Sequence, residues 1–352
     1  MDAKITKKRL SHMLSYDWIK ILLSVVAAIA VWAIIFTSTA TRITSTQRFI
    51  VCNYRGVNYG NKLSLYGGFS HEILEGEAVD LLRGGEDNFY DLFTGNISIG
   101  EGDLMMVANA PSSKTAKKDD NGNELKNDQG ETIYEYGISY MDSALASFYG
   151  HADFSFTRLD DNKDSAQKGF FTQMNEYLGR FYPVLSEEEK TFNDVALTVK
   201  TFDADSLNKQ AVKTEFRARV KKNKDKRYKT EAQLQEGEKY ELERISSYLA
   251  AYSTFFENLE DGKIALTALS VDIRFSETTT KTISGAYGIN LCPDEATMGN
   301  LKDLFYYVDT EDVITAKNMN VMFLTMKDLD PDFQYENLIY INSIVKNVYV
   351  GA

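Results

Sequence analysis

Apolar residues run almost unbroken from Ile21 to Phe36, and no charge appears until Arg42. At 1.5 Å per residue, about 20 helical residues cross a hydrocarbon core of about 30 Å, so the pattern predicts one transmembrane helix over residues 19–41. Beyond it the apolar runs become short. Arg48 to Asn53 and Leu104 to Ala108 are each bounded by polar residues and predict buried strands. Residues 56–68, rich in Gly, Asn and Tyr, read as loop, and His71 to Arg83 as a short helix or helical turn between the two strands.

The second half of the chain changes period. Phe170 to Phe181 reads as a helix, and Ser186-Glu-Glu-Glu189 is a capping-box pattern that would open another. The longest helical stretch runs from about 206 to 259, with a turn or irregularity within 221–240. In it Leu242, Ile245, Leu249, Tyr252, Phe256 and Leu259 recur at spacings of 3, 4, 3, 4 and 3 and so share one face. Fewer than three heptads are present, which favours packing on the helix's own domain over a coiled-coil partner. Lys263 to Phe275, Gly285 to Leu291 and Val321 to Thr325 return to strand patterns, and Gln334 to Val350 reads as a closing helix or helix pair. Residues 111–131 are almost wholly polar, with Asn121-Gly122 as a hairpin signal, and predict an exposed excursion. The expected architecture is α/β in two lobes: a strand-rich lobe over 45–110 and 262–352, and a helical lobe over about 135–261.

Charge refines this picture. The chain of 352 residues has a net charge of −12, yet Lys4, Lys7, Lys8, Arg9 and Lys20 outnumber Asp2 and Asp17 before the apolar run. That flank predicts a cytoplasmic N-terminal tail (1–18), a signal anchor (19–41) and an extracytoplasmic domain (42–352), hence a single-pass cell-membrane protein. A cleaved signal peptide is the alternative, since Ser38-Thr39-Ala40 offers small residues for processing; the long flank with Tyr16, Asp17 and Trp18 suits an anchor better. The acidic remainder repels phosphate backbones, so no nucleic-acid partner is expected. The basic run Lys221 to Lys229 reads as a solvated loop or helix end, its functional alternative being contact with anionic headgroups or an acidic polymer.

Catalytic signatures are missing: there is no Gly-x-Ser-x-Gly elbow, phosphate loop, Rossmann glycine fingerprint or His-Glu-x-x-His. We therefore expect no enzyme and no cofactor. Asp119, Asn121 and Asn123 alternate as calcium-loop ligands do, but Glu124 stands where the sharp turn needs Gly. His12, His71 and His151 lie far apart and form no metal motif. Cys52 and Cys292 are compatible either with one disulfide or with two buried thiols. The enriched types are Tyr and Phe, 21 and 20 residues, with Tyr54, Tyr59, Tyr66, Phe69 and Tyr287 at loop or strand-end positions. Flat rings with hydroxyl tips can line a pocket for a sugar or peptide. Three residues stand out as candidate ligand contacts: Tyr54, Asn109 just beyond the Leu104–Ala108 strand, and Tyr287, where Gly285 and Gly288 permit close approach.

The segments Phe49 to Tyr54 and Gly102-Asp103-Leu-Met-Met-Val-Ala-Asn109 resemble the first strand and the cleft-entering segment of extracytoplasmic solute-binding proteins of ABC importers. Ser15-Tyr16-Asp17-Trp18, Phe216-Arg-Ala-Arg and Lys224-Asp-Lys-Arg-Tyr-Lys-Thr-Glu231 resemble membrane-anchored proteins of Firmicutes related in plan to them. The resemblance implies a type 2 periplasmic-binding-like exterior whose lobes close on a small polar ligand such as a sugar, or a transporter accessory with an ABC permease as partner. Two features depart from it: the exterior is short for a carbohydrate-binding member, and the anchor is a protein helix rather than a lipid. The alternative function is a structural or assembly protein docking other envelope proteins through the acidic surface or the 242–259 helix.

Overall fold

A computed structural model describes residues 7–39, 48–61, 78–82, 95, 102–149, 154–163, 166–274, 279–293, 300–326 and 335–349. Tyr66, Phe69, His71 and His151 lie outside these residues. The chain divides into two units, Met1–Ile43 and Thr44–Ala352.

The described residues of the first unit form one helix, α1 (Lys7–Thr39). Its segment Trp18–Phe36 has a mean hydropathy of 2.6 and none of it is buried, so by length and composition it can cross a membrane. An apolar helix with no protein around it needs another apolar medium to cover its side chains.

The second unit is mixed α/β. Among the described residues, seven strands form its main sheet in the order β10 (Ala265–Arg274), β11 (Thr280–Asn290), β14 (Met319–Met326), β4 (Leu104–Ala108), β1 (Arg48–Asn53) and β3 (Ala78–Leu82), with β7 (Phe154–Phe156) pairing β14. β1 runs parallel to β3 and β4, and β14 runs antiparallel to β4 and β11. The two apolar runs read from sequence are β1 and β4, with the boundaries expected. The helix expected over 71–83 is corrected for its described part: residues 78–82 are β3, paired in register from Arg48↔Ala78 to Cys52↔Leu82. Its Ala-Val-Asp-Leu-Leu sequence is too short to display a period, and pairing with β1 decides its form.

Alternation along the central strands sends side chains to two cores. Phe49, Val51, Leu104, Met106, Val321 and Phe323 face the larger one, which also takes α3 (Phe170–Gly179), α5 (Glu231–Glu260) and α6 (Glu336–Tyr349). Ile50, Cys52, Met105, Val107, Met322 and Leu324 face the smaller one, covered by α2 (Tyr140–Phe148). Strands from 48–108 and 265–326 thus share a sheet, and the helices of 170–260 pack on it within the same compact unit. The cysteines sit on opposite faces, Cys52 in the smaller core and Cys292 in the larger, and both are free thiols.

The helix expected to open at Ser186 is instead β8 (Val184–Phe192), which pairs antiparallel with β9 (Val195–Phe202). Asn193 and Asp194, both at positive φ (48° and 65°), make the tight turn, and this local geometry overrides the resemblance of Ser-Glu-Glu-Glu to a helix cap. α4 (Lys209–Asn223) and α5 form the long helical stretch; Lys224 at φ 51° ends the first and a Thr230/Gln233 capping box opens the second. The stripe from Ile245 to Leu259 is buried as expected, in the larger core, with Leu242 packed against it. Of the closing segment expected over Gln334 to Val350, the described residues hold the single helix α6.

Two buried polar devices hold the helices. Arg219 grips Glu241 with two hydrogen bonds of 2.9 and 2.7 Å, and Arg244 bonds the same carboxylate and the Tyr248 hydroxyl, which donates to Glu336 at 3.1 Å. This chain crosses from α4 through α5 to α6, so the basic residues of the Phe216-Arg-Ala-Arg segment serve helix docking. Burial opposes ionisation of Glu241, but Arg244 and Arg219 outweigh it and hold the carboxyl below its usual range. The second device is the Tyr252 hydroxyl, which donates to Asn175 Oδ1 at 2.7 Å and accepts the Lys200 backbone N–H at 2.9 Å, while Asn175 Nδ2 donates to the Thr198 carbonyl at 2.7 Å.

Candidate functional site

Tyr54 and Tyr287 belong to one neighbourhood, the smaller core, and Asn109 stands apart from it. Tyr54 is 1% exposed; its hydroxyl meets Ser143 Oγ at 3.2 Å and its ring stands edge-on to Phe148. Tyr287 is 6% exposed. In the β10–β11 ladder, Thr267 pairs Gly288 while Ala268 pairs Ala286, so Tyr287 is the extra residue of a β-bulge. The neighbouring N–H of Ala286 is taken by Asp160 Oδ1 at 2.8 Å, and Asp160 is clamped by Arg158 through bonds of 2.9 and 2.8 Å. Gly285 is required here: at φ 156° any Cβ would lie 2.6 Å from Arg158 Nε. Burial pushes the Tyr287 phenol above its usual value, against the opposing pull of Arg158. Asn109 is half-buried in the turn after β4, where its N–H donates to the Asn318 carbonyl at 2.9 Å.

The segment that supplies Arg158 and Asp160 fills a fork in the sheet. β11 pairs β14 only from Gly288 to Asn290, and beyond that β7 takes over the edge of β14. Thr157 then donates to the Phe323 carbonyl and Leu159 to the Ala286 carbonyl, each at 2.8–2.9 Å, joining the two diverging strands.

The polar excursion holds a second arrangement that the sequence reading did not isolate. Lys117–Glu124 and Leu125–Thr132 are two successive octads sharing Lys118/Lys126, Asp120/Asp128 and Gly122/Gly130. Each folds the same turn. Asp119 Oδ1 accepts the N–H groups of Asn121 and Asn123, and Asn127 Oδ1 those of Gln129 and Glu131, with Gly122 and Gly130 at φ 88° and 82°. Asp119 is held below the usual carboxylate range chiefly by the Asn123 N–H, so its carboxylate serves the turn. Three bonds close a triangle: Leu125 donates to the Lys117 carbonyl and Ile133 to the Leu125 carbonyl, each across one octad, and Lys117 donates to the Ile133 carbonyl across both. The strands β5 (Lys114–Ala116) and β6 (Tyr134–Tyr136) form the base of this arm.

The turn recurs between β12 (Phe305–Val308) and β13 (Ile314–Thr315), where Asp309 Oδ1 accepts from Glu311 and Val313 and Asp312 takes φ 59°. Lys114 joins the two places: it pairs with Glu311 and lies 4.0 Å over the Tyr134 ring. Around this junction large apolar side chains stand in solvent, with Tyr136, Ile138 and Val313 each 54% exposed and Ile314 55%. Ile133, Tyr134 and Leu125 extend the exposure along the arm. Scattered exposed apolar residues are ordinary; here several occur on one arm and its neighbouring hairpin.

A surface groove of about 630 Å³ lies between α5 and α6. Ser247, Thr254 and Glu257 line one wall and Asn342, Ser343 and Lys346 the other. Its side is braced by Asn258 Nδ2 on Asn342 Oδ1 at 3.2 Å, and Asn342 Nδ2 on the Ala251 carbonyl at 2.8 Å. Tyr54, Asn109 and Tyr287 are not among the residues that line it. Among the described residues no group of three or more His, Cys, Asp or Glu side chains could hold a metal ion. Comparison of the chain with protein-family models, curated proteins and solved structures finds no match.

Proposed function

We propose that this chain is a single-pass membrane protein that carries its α/β body outside the cytoplasm and docks a second envelope protein through the arm and the β12–β13 turn. The observation that carries the proposal is the exposure of Tyr136, Ile138, Val313 and Ile314 about the Lys114–Glu311 junction. Tyr supplies large contact area with few rotatable bonds and is enriched in interfaces, whereas exposed Ile and Val gain only by being covered. The surrounding turns are braced by side-chain hydrogen bonds, so the face is formed before a partner arrives and little ordering free energy is spent on contact.

The test is photo-crosslinking from position 136 in the full-length chain in its native membrane, with position 243, on the solvent side of α5, as reference. Docking gives a discrete crosslinked species from 136, none from 243, and loss of that species in a Val313→Asp, Ile314→Asp variant. Equal crosslinking from both positions would defeat the proposal.

A second reading follows the resemblance to solute-binding proteins, and the α5–α6 groove favours it. A small polar ligand could lie between Glu257 and Lys346, whose charges are opposite and lie on facing walls. A rise in melting temperature of the full-length protein with a sugar or amino acid, abolished by Lys346→Ala, would support this reading; no shift across such a panel would remove it.

A further inference from the structure

We propose that β8 is a strand-addition edge that accepts an extended, basic peptide segment of a partner, independently of the arm. The register of the β8–β9 hairpin supplies the argument. In an antiparallel pair, opposed residues either exchange both backbone hydrogen bonds or point both groups away from each other. Lys200, opposite Glu187, gives its N–H to Tyr252, and Thr198, opposite Glu189, gives its carbonyl to Asn175. Both pairs are therefore of the outward kind, and by the two-residue repeat so is Thr191↔Ala196.

On the β9 side the Lys200 N–H and the Thr198 carbonyl are taken by the Asn175–Tyr252 clamp. On the β8 side the corresponding N–H and carbonyl groups of Glu187, Glu189 and Thr191 face outward, and among the described residues β8 pairs with β9 alone. All of 184–189 are exposed. One edge of this hairpin is thus sealed by buried side chains and the other offers three consecutive main-chain docking positions about 7 Å apart, the spacing an added strand requires.

Side chains define the occupant. Glu187, Glu188 and Glu189 stand along the edge, and Glu260 beside it; Lys190 and Lys200 are already paired with Glu260 at 2.6 Å and Glu187 at 3.1 Å. The edge is left with surplus negative charge, so a strand bearing Lys or Arg is favoured and an acidic one is repelled. At one end Leu185, the bulged residue between the Val184 and Ser186 pairs, is 65% exposed and Val184 44%, providing an apolar contact for the incoming segment. A second copy of the chain would set Glu189 against Glu189, or Glu187 against Glu189, in antiparallel self-pairing, which argues against β8 as a self-association edge.

The test is hydrogen exchange of the full-length protein in detergent, with an octapeptide of alternating Thr and Lys ending in Leu as probe. Binding by strand addition slows exchange at the amides of 187, 189 and 191. It is lost when alternate peptide amides are N-methylated, and it weakens about tenfold in Glu189→Lys while the unliganded exchange pattern of 195–202 stays unchanged. Three results would overturn the proposal: no added protection at millimolar peptide, equal protection by the corresponding Thr-Glu peptide, or protection of β8 that grows with protein concentration alone, which would assign the edge to self-pairing.

Discussion

Asp160 and Ala286, 126 residues apart, are joined by one hydrogen bond of 2.8 Å from the Ala286 N–H to the Asp160 carboxylate. The bond satisfies a donor beside the bulge at Tyr287, and Arg158 fixes the carboxylate that makes it. Asp160→Ala should destabilise the protein by about 2 kcal/mol, because the amide loses a charge-assisted partner at a partly buried site. Chemical denaturation of both forms checks this. Gly285→Ala should also destabilise, by forcing Arg158 away, and the double variant should fall short of the sum because the two sites share one clamp.

Glu241→Gln leaves Arg219 and Arg244 facing a neutral amide in a buried setting. A loss of about 3 kcal/mol is expected, read as a lower denaturant midpoint. The wild-type contribution has a defined pH window. Glu241 titrates lower when folded than when unfolded, so its stabilisation is complete above the unfolded value of about 4.3 and declines as pH falls through the lowered folded value. Wild-type stability should therefore drop below about pH 4 more steeply than that of the variant.

Lys224 ends α4 in the left-handed region at φ 51°. A non-glycine residue there costs about 1–2 kcal/mol, of which glycine's greater unfolded-state freedom returns about 0.5–1. Lys224→Gly should raise stability by about 0.5–1 kcal/mol in thermal denaturation, with no change in the salt dependence of α4–α5 docking, since Lys224 has no part in the Arg219–Glu241–Arg244 chain.

Both thiols should alkylate only after unfolding. Cys52 is wholly buried, and that burial, with Asp103 nearby adding to it, pushes its thiol far above the usual range, away from the reactive thiolate. Non-reducing mass mapping should find no Cys52–Cys292 crosslink, because a strand's thickness separates the cores that hold them.

Some of this organisation could be read directly from residue order. β1 and β4 were legible because both faces of each are buried, so their apolar runs carry no competing signal; Leu104 to Ala108 is buried throughout. The stripe on α5 was legible because one face alone meets the core. β8 was not, since an exposed edge strand has no apolar period to display and its Ser-Glu-Glu-Glu imitates a helix start. At the candidate site, Gly285 and Gly288 marked the surroundings of Tyr287, but the bulge arises from register with β10 and from Asp160, and neither is a local property. The arm's exposure was legible from polarity; its octads escaped because only three of eight positions are identical and the turn-making pair, Asp119 and Asn127, differs in residue type.

In each octad the fold depends on one amide- or carboxylate-bearing residue and one glycine, with the triangle closed by main-chain groups alone. Asn123, Glu124, Glu131 and Thr132 add side-chain bonds within the arm, whereas exposed positions such as Asp120 and Asp128 can change identity without disturbing the frame.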